Sequence, residues 1–113
     1  MTGSPLAYRS YDGVSTYSAS KAGLQAFAQA VAMEEGVHGI TANWVEPSGI
    51  ETAMTRHIYA DPETRKIWAQ KSPLKRIGQP IDVANVVLFL ASDLSAYITG
   101  HGLCADGGNT LNV

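Results

Sequence analysis

The sequence predicts an α/β chain built on a parallel sheet. Helical hydrophobic periodicity recurs in separate segments, and short apolar runs rich in branched or aromatic residues fall between them. The length of 113 residues, 45% of them hydrophobic, with a net charge of −2, fits one globular domain.

Residues 1–14 are rich in Gly, Ser, Pro and Tyr and read as loop. From about Ser15 to Glu35 the pattern is helical. Leu24, Phe27 and Val31 mark its apolar face, and alanines at 22, 26, 28, 30 and 32 keep it slim. Gly36 and Gly39 punctuate its end. Ile40-Thr41-Ala42-Asn43-Trp44-Val45 reads as a short buried strand, and Pro47-Ser48-Gly49 as a turn. A second helix is expected from near Thr52. Asp61-Pro62-Glu63 combines a side-chain cap, a proline where no N–H is needed and an acid at the positive helix end. That helix runs to about Gln70, and Ser72-Pro73 breaks it. Pro80 opens a third helix through Ala91, with Val83, Val86, Val87 and Leu90 on its apolar side. Tyr97 to Gly102 is a turn, Leu103-Cys104-Ala105 a strand, and Asp106-Gly107-Gly108 a closing turn.

Composition narrows the function. The charge balance offers no basic footprint for nucleic acid. No apolar run approaches the ~20 residues of a membrane span. The first residues have neither the cationic start nor the apolar core of a signal peptide, so cytoplasmic residence is expected. The one cysteine, Cys104, excludes an internal disulfide and a cysteine-based metal site. Its apolar neighbours predict a buried, inert thiol. His38, His57 and His101 lack ligand spacing, so no metal is expected.

Tyr17 and Lys21 carry the most chemistry. Residues four apart share a helix face, with Cβ atoms about 5–6 Å apart. An ordinary phenol, with a pKa near ~10, exchanges protons poorly at neutral pH. A neighbouring cation favours the phenolate. Lowering such a pKa to ~7 takes roughly 4 kcal/mol, which a lysine and a cationic cofactor together could supply. Tyr-x-x-x-Lys also occurs by chance on many helices, so its surroundings decide.

Those surroundings resemble the short-chain dehydrogenase/reductase family. The matching segments occur in order and cover nearly the whole chain. They are Tyr17-Ser18-Ala19-Ser20-Lys21-Ala22-Gly23 and Asn43-Trp44-Val45-Glu46-Pro47 with Gly49-Ile50-Glu51-Thr52-Ala53-Met54. Then come Pro73-Leu74-Lys75-Arg76-Ile77-Gly78-Gln79-Pro80-Ile81-Asp82-Val83-Ala84 and Phe89-Leu90-Ala91-Ser92-Asp93, with Tyr97-Ile98-Thr99-Gly100 and Asp106-Gly107-Gly108.

The resemblance implies the C-terminal half of a Rossmann-like doubly wound parallel sheet. It implies a catalytic set of Ser4, thirteen residues before the tyrosine, with Tyr17 and Lys21. Ser4 would bond the substrate oxygen; beside Pro5 it also reads as a turn serine. Tyr17 would be the general acid or base. Lys21 would favour its phenolate and hold the nicotinamide ribose. The cofactor, NAD or NADP, would also meet Pro47, Ser48, the Ile50 backbone and the Thr52 hydroxyl; Thr52 reads equally as a helix cap. The chain departs from the family at Ser48, where glycine usually follows the proline; Gly49 comes next. Residues 53–72 correspond to the variable substrate lid, with Met54, His57, Tyr59 and Trp68 as candidate pocket residues. Arg76 with Asp82, and Asp106, read as structural.

The resemblance covers only the family's second half. No Gly-x-x-x-Gly-x-Gly precedes Tyr17, and Gly100-His101-Gly102 and Gly107-Gly108 open no helix. Residues 1–113 are therefore expected to be a partial Rossmann-like dehydrogenase domain, its catalytic half, without the N-terminal dinucleotide-binding half. The strand at 40–45 would then expose an edge. Two functions follow. One is an NAD(P)-dependent oxidoreductase interconverting a small-molecule alcohol and ketone, a homo-oligomer through helix 15–36. The other is an inactive fragment that associates with itself or with a related full-length dehydrogenase.

Overall fold

The structure, a computed structural model, describes residues 1–111. The last two residues of the expected 1–113 unit lie outside the described ones. The α/β expectation holds. The elements are α1 (Ser15–Glu35), β1 (Trp44–Pro47), α2 (Arg56–Tyr59), α3 (Pro62–Lys71), α4 (Pro80–Leu90) and β2 (Gly102–Ala105). Single 3-10 turns lie at Pro5–Ala7, Gly36–His38, Asp93–Ser95 and Asn109–Leu111.

β1 and β2 pair in parallel, Trp44 opposite Gly102 and Pro47 opposite Ala105. The other edge of β1 is also occupied, which corrects two expectations. Thr2 forms a parallel bridge to Val45. Val45 N donates to Met1 O at 3.0 Å, and Gly3 N donates to Val45 O at 2.8 Å. Residues 1–3 thus act as strand rather than loop, and β1 does not present an open edge there. The strand also starts later than its apolar run. Before Trp44 the backbone is held by the turn ahead of β2: Ala42 N donates to Thr99 Oγ1 at 3.0 Å and Gly100 N to Ala42 O at 2.8 Å. Ile40 is left half exposed.

Alternation along β1 places helices on both faces. Trp44 and Glu46 share one face, where Gln25 of α1 reaches the Glu46 carboxylate. Val45 points the other way, into a small cavity it shares with Val87 and Leu90 of α4. Close approach explains the small residues of α1. Its buried positions are Ser18, Ala28 and Ala32, not the predicted Leu24, Phe27 and Val31. The real inner stripe runs Ser18, Lys21, Gln25, Ala28, Ala32, at alternating spacings of about three and four. Phe27 is 61% exposed because it falls outside that stripe. Val87 of α4, placed on the apolar side by its spacing, is likewise 48% exposed.

Helix ends follow the sequence signals. Asp61 accepts from Thr64 N at 2.7 Å, with Pro62 in the first turn of α3. Asp82 accepts from Gln79 N at 2.7 Å at the start of α4. Gly39 takes the left-handed conformation, φ 73°, that closes the turn after α1. The second helix expected from Thr52 is instead a turn at 52–55 and one helical turn, α2, because Thr55 Oγ1 takes the Thr52 N–H at 2.8 Å and donates to Ile50 O at 2.7 Å.

The radius of gyration is 15.3 Å, with extents of 50 × 31 × 26 Å. A compact domain of this length has a radius of roughly 13 Å. Among the described residues no large side chain is completely enclosed. The chain is a partial domain whose core is shallow.

Two predictions follow from this packing. A Cβ on Gly102 would lie on the Trp44 indole, 2.5 Å from Cε2 and 2.9 Å from Cζ2. Gly102→Ala should therefore cost about 1–3 kcal/mol by overpacking, read as a lower midpoint in urea; an unchanged midpoint would mean that Trp44 re-seats freely. The second concerns Asp82, held at a pKa of about 2 by the Arg76 guanidinium, 2.7 and 2.8 Å away, and by the Gln79 N–H. A depressed folded pKa contributes stability above the ordinary value near ~4, fading as pH falls through the folded value. Asp82→Asn should lower the melting temperature at pH 7, and the gap to wild type should close by pH 2. A gap of equal size at both pH values would show that the ionised carboxylate is not its source.

Candidate active site

Parallel pairing sets the site's location. Ser4 follows the strand residues 1–3, Ser48 to Thr52 follow β1, and Asp106 to Thr110 follow β2. Neighbouring parallel strands point the same way, so these segments share one edge of the sheet, where open α/β sheets bind ligands.

Ser4 is buried and extended, and caps the 3-10 turn after it: its Oγ accepts from Leu6 N at 3.2 Å. Pro5, at the first position of that turn, lacks the N–H that would otherwise need a partner. The Ser4 hydroxyl hydrogen has no partner among the described residues, so the turn-serine reading and the donor reading are compatible.

Tyr17 lies in the first turn of α1, 45% exposed, its hydroxyl without a hydrogen bond among the described residues. The Lys21 ammonium sits 5.6 Å from the centre of the Tyr17 ring. It donates to Thr2 O at 2.8 Å, which ties α1 to the strand that delivers Ser4 two residues later. One of three ammonium donors is thereby used. Ser18 faces inward beside this pair and shares a hydrogen bond with Ser10, Oγ to Oγ 2.8 Å, anchoring the loop ahead of the helix.

Beneath this set lies a group that the sequence reading missed. Glu46, 4% exposed, accepts from Trp44 Nε1 at 2.6 Å, Gln25 Nε2 at 2.7 Å, the Tyr8 hydroxyl at 2.8 Å and Cys104 Sγ at 3.2 Å. A buried carboxylate demands such company. Gln25 stands one turn beyond Lys21 on the inner stripe of α1, and its amide also approaches Ser4 O at 3.5 Å. The signal was available: an acid flanked by Trp44, Val45 and Pro47 in a buried strand. Burial, with bonds to Cys104 and Glu46, pushes the Tyr8 phenol above its ordinary range. Cys104, expected to be buried, is exposed. It projects from β2 toward Tyr8 and Glu46, and partial burial of its sulfur is the main cause that raises the thiol.

The loop after β1 has a different economy of hydrogen bonds. Pro47 ends the strand. Ser48 N donates to Ala105 O at 3.3 Å, and Ser48 Oγ accepts from Asn109 Nδ2 at 3.3 Å. The left-handed turn falls on Gly49, φ 64°, so Ser48 takes the family's glycine position without a left-handed backbone. Thr55 holds Ile50 O and Thr52 N, and its Oγ1 lies 3.3 Å from Thr52 Oγ1. The Ile50 N–H is left without a partner among the described residues.

The structure brings Tyr17 and Lys21 to the strand before Ser4, and joins Ile50 to Thr52 through Thr55. No hydrogen bond, ion pair or ring contact among the described residues links Tyr17 or Lys21 to Pro47, Ser48, Ile50 or Thr52. Of the lid candidates, Tyr59 is buried against Trp68, rings edge to face at 6.2 Å and 78°. That pair packs α2 against α3. Met54 and His57 face solvent. A cavity of about 480 Å³ lies among Ile50, Ser72, Leu74, Val86, Cys104 and Gly107. Ser4, Tyr17 and Lys21 do not line it, and it carries no argument about their chemistry. Among the described residues no helix is long and apolar enough to cross a membrane.

The family model described as enoyl-(acyl carrier protein) reductase matches residues 1–110. An L-rhamnose 1-dehydrogenase (NAD(P)(+)) of Sphingomonas sp. is 41% identical over 97 residues, covering 86% of this chain and 38% of that protein. A short-chain type dehydrogenase/reductase from Mycobacterium ulcerans superposes with a TM-score of 0.89 at 30% identity, over 98% of this chain and 40% of that one. A protein from Agrobacterium tumefaciens solved with bound NADP gives 0.89 at 31% identity, over 97% and 45%. The chain thus spans about two fifths of the length of the relatives it matches, and its helices and parallel strands correspond to part of their Rossmann-like fold. By the match of nearly its whole length, the chain belongs to the short-chain dehydrogenase/reductase family.

Proposed function

We propose that this chain is the catalytic part of a cytoplasmic NAD(P)-dependent oxidoreductase that interconverts an alcohol and a ketone by hydride transfer. The observation that carries this is the Tyr17–Lys21 pair, tied through Thr2 to the strand that ends at Ser4. The available donors suit a nicotinamide nucleotide. The Ile50 N–H can meet a carboxamide oxygen, the Thr52 hydroxyl lies beside it, and Lys21 retains donors for ribose hydroxyls. Pro47 and Ser48 shape the turn below. The free Cys104 thiol suits a reducing compartment.

When bound, NAD or NADP supplies or accepts the hydride. In the reducing direction Ser4 Oγ–H donates to the ketone oxygen and orients it. The Tyr17 hydroxyl passes its proton to that oxygen as negative charge develops there. In the oxidising direction the same oxygen returns the proton to Tyr17. Lys21 keeps its ammonium beside the Tyr17 ring, 5.6 Å from the ring centre, with N–H donors to spare for the ribose. The dinucleotide-cradling half lies outside this unit. The substrate is a small molecule; the matching family model and relatives are named for acyl-thioester and sugar chemistry, which differ too much to choose between them.

Association with a second copy, or with a related dehydrogenase, is the other reading. It is favoured by apolar side chains left outward on α1, with Phe27 61% and Met33 87% exposed.

In the intact enzyme, Tyr17→Phe should lower kcat/KM by roughly 10²–10⁴ with the circular dichroism spectrum unchanged. Turnover at the wild-type rate would overturn the proton-transfer role. For the association reading, light scattering should find an oligomer that Phe27→Glu with Met33→Glu dissociates; a wild-type monomer would rule out helix 15–36 as its interface.

A further inference from the structure

We propose that Glu51 and Arg65 form a latch that fastens the α2–α3 hairpin to the loop carrying Ile50 and Thr52, making both positioning residues. The inference rests on the proposed oxidoreductase reading for its consequence, but its geometry stands alone.

After Ile50 the chain makes an excursion and comes back beside it at Gly78. The base of this excursion is closed by a parallel bridge between Ile50 and Gly78. Glu51 N donates to Gly78 O at 2.9 Å, and Gly78 N to Gly49 O at 2.8 Å. A side chain on Gly78 would collide with Ile50 Cδ1, 2.5 Å from an added Cβ, so the two segments meet closely. The far end of α3 is fixed too: Ser72 Oγ donates to Gly107 O at 2.8 Å.

Between these anchors the hairpin has little apolar footing. Tyr59 is its buried aromatic residue, while Met54 is 82% and Ile67 58% exposed. What crosses from α3 to the sheet-edge loop is polar. Arg65 grips the Glu51 carboxylate with both arms, NH1 to Oε1 at 3.0 Å and NH2 to Oε2 at 2.7 Å. Gln79 Nε2 adds a third bond to Oε2 at 3.2 Å. A two-pronged guanidinium–carboxylate pair fixes orientation as well as distance. Glu51 therefore gathers the loop after β1, helix α3 and the start of α4. Bonds to Arg65 and then Gln79 hold its carboxyl down to about 2, so the pair stays charged at working pH.

The position of Glu51 gives the latch its consequence. It lies between Ile50, whose N–H is uncommitted, and Thr52, whose hydroxyl is offered to the cofactor in the proposed reaction. A ligand that docks against the hairpin is thereby placed relative to that loop. An ion pair this exposed adds little to global stability. Its loss should free the hairpin without unfolding the sheet.

The test is amide hydrogen exchange on the intact protein, with steady-state kinetics beside it. Arg65→Met and Glu51→Gln should each speed exchange across residues 62–71 while leaving β1 protected, with a fall in melting temperature no larger than that of Asp82→Asn. The charge-swapped double variant, Glu51→Arg with Arg65→Glu, should restore slow exchange. Single variants that exchange like wild type, or a swap that restores nothing, overturn the latch. In the kinetics, the single variants should raise KM for the alcohol about tenfold with kcat changed much less, as expected for lost positioning. Fast exchange with an unchanged KM overturns the positioning role. An inactive wild-type enzyme would count against the oxidoreductase reading, while the exchange results would still decide the latch.

Discussion

One buried carboxylate ties the chain together. The four donors to Glu46 come from four places: the loop before α1, α1 itself, β1 and β2. Each lone pair that Glu46 presents to the interior must be met, because an unmatched buried acceptor costs about 1–3 kcal/mol. Satisfying them fixes where α1 lies on the sheet and where the Tyr8 loop closes over it. The Tyr17–Lys21 pair rides on the helix so placed, and Ser4 leaves the strand beneath it. The proposed chemistry sits at the sheet edge, and the carboxylate below it is buried, 4% exposed.

The same constraint explains why a shallow domain has a defined site. A radius of gyration of 15.3 Å and the absence, among the described residues, of a completely enclosed large side chain mark a partial core. Apolar burial alone would hold the elements loosely. Directional bonds do more of the placing here: Lys21 to Thr2, Gln25 to Glu46, Asn43 to Ile98, Ser72 to Gly107. Of the described buried side-chain polar atoms, none is left without a partner. A polar framework of this kind keeps its geometry over a small area, which suits a unit that continues a larger sheet in its relatives.

Local signals were legible in the sequence and long-range ones were not. Asp61-Pro62 and Pro80 with Asp82 announce helix starts because the cap lies within three residues of what it caps. The Arg76–Asp82 pair and the Asp106 turn were readable for the same reason, with Asp106 accepting from Gly108 N and Thr110 N. The inner face of α1 was misread because Leu24, Phe27 and Val31 share a hydrophobic spacing. The sheet instead accepts the smaller stripe through Gln25 and Ala28, a choice made by Glu46 on another segment. Cys104 was misplaced likewise: its neighbours are apolar, but its side of β2 faces a carboxylate rather than a core. The strand character of residues 1–3 depends on Val45, more than forty positions away.

The candidate site could be read only through resemblance, and the geometry supplies a reason for its location. Most polar groups near the sheet edge are committed to the fold. Thr55 occupies the Ile50 carbonyl and the Thr52 N–H, Asn109 takes Ser48 Oγ, and Leu6 N takes a lone pair of Ser4. Among the described residues, donors there without a protein partner include the Tyr17 hydroxyl, the spare N–H groups of Lys21, the Ser4 and Ser48 hydroxyl hydrogens and the Ile50 N–H. Donors left over at the carboxyl ends of adjacent parallel strands suit a ligand rich in acceptor oxygens, since each would otherwise be met by water alone. A nicotinamide ribose, its carboxamide and a carbonyl substrate together present that pattern. The Tyr17–Lys21 pair carries the reading, and the groups the fold leaves unspent around it support it.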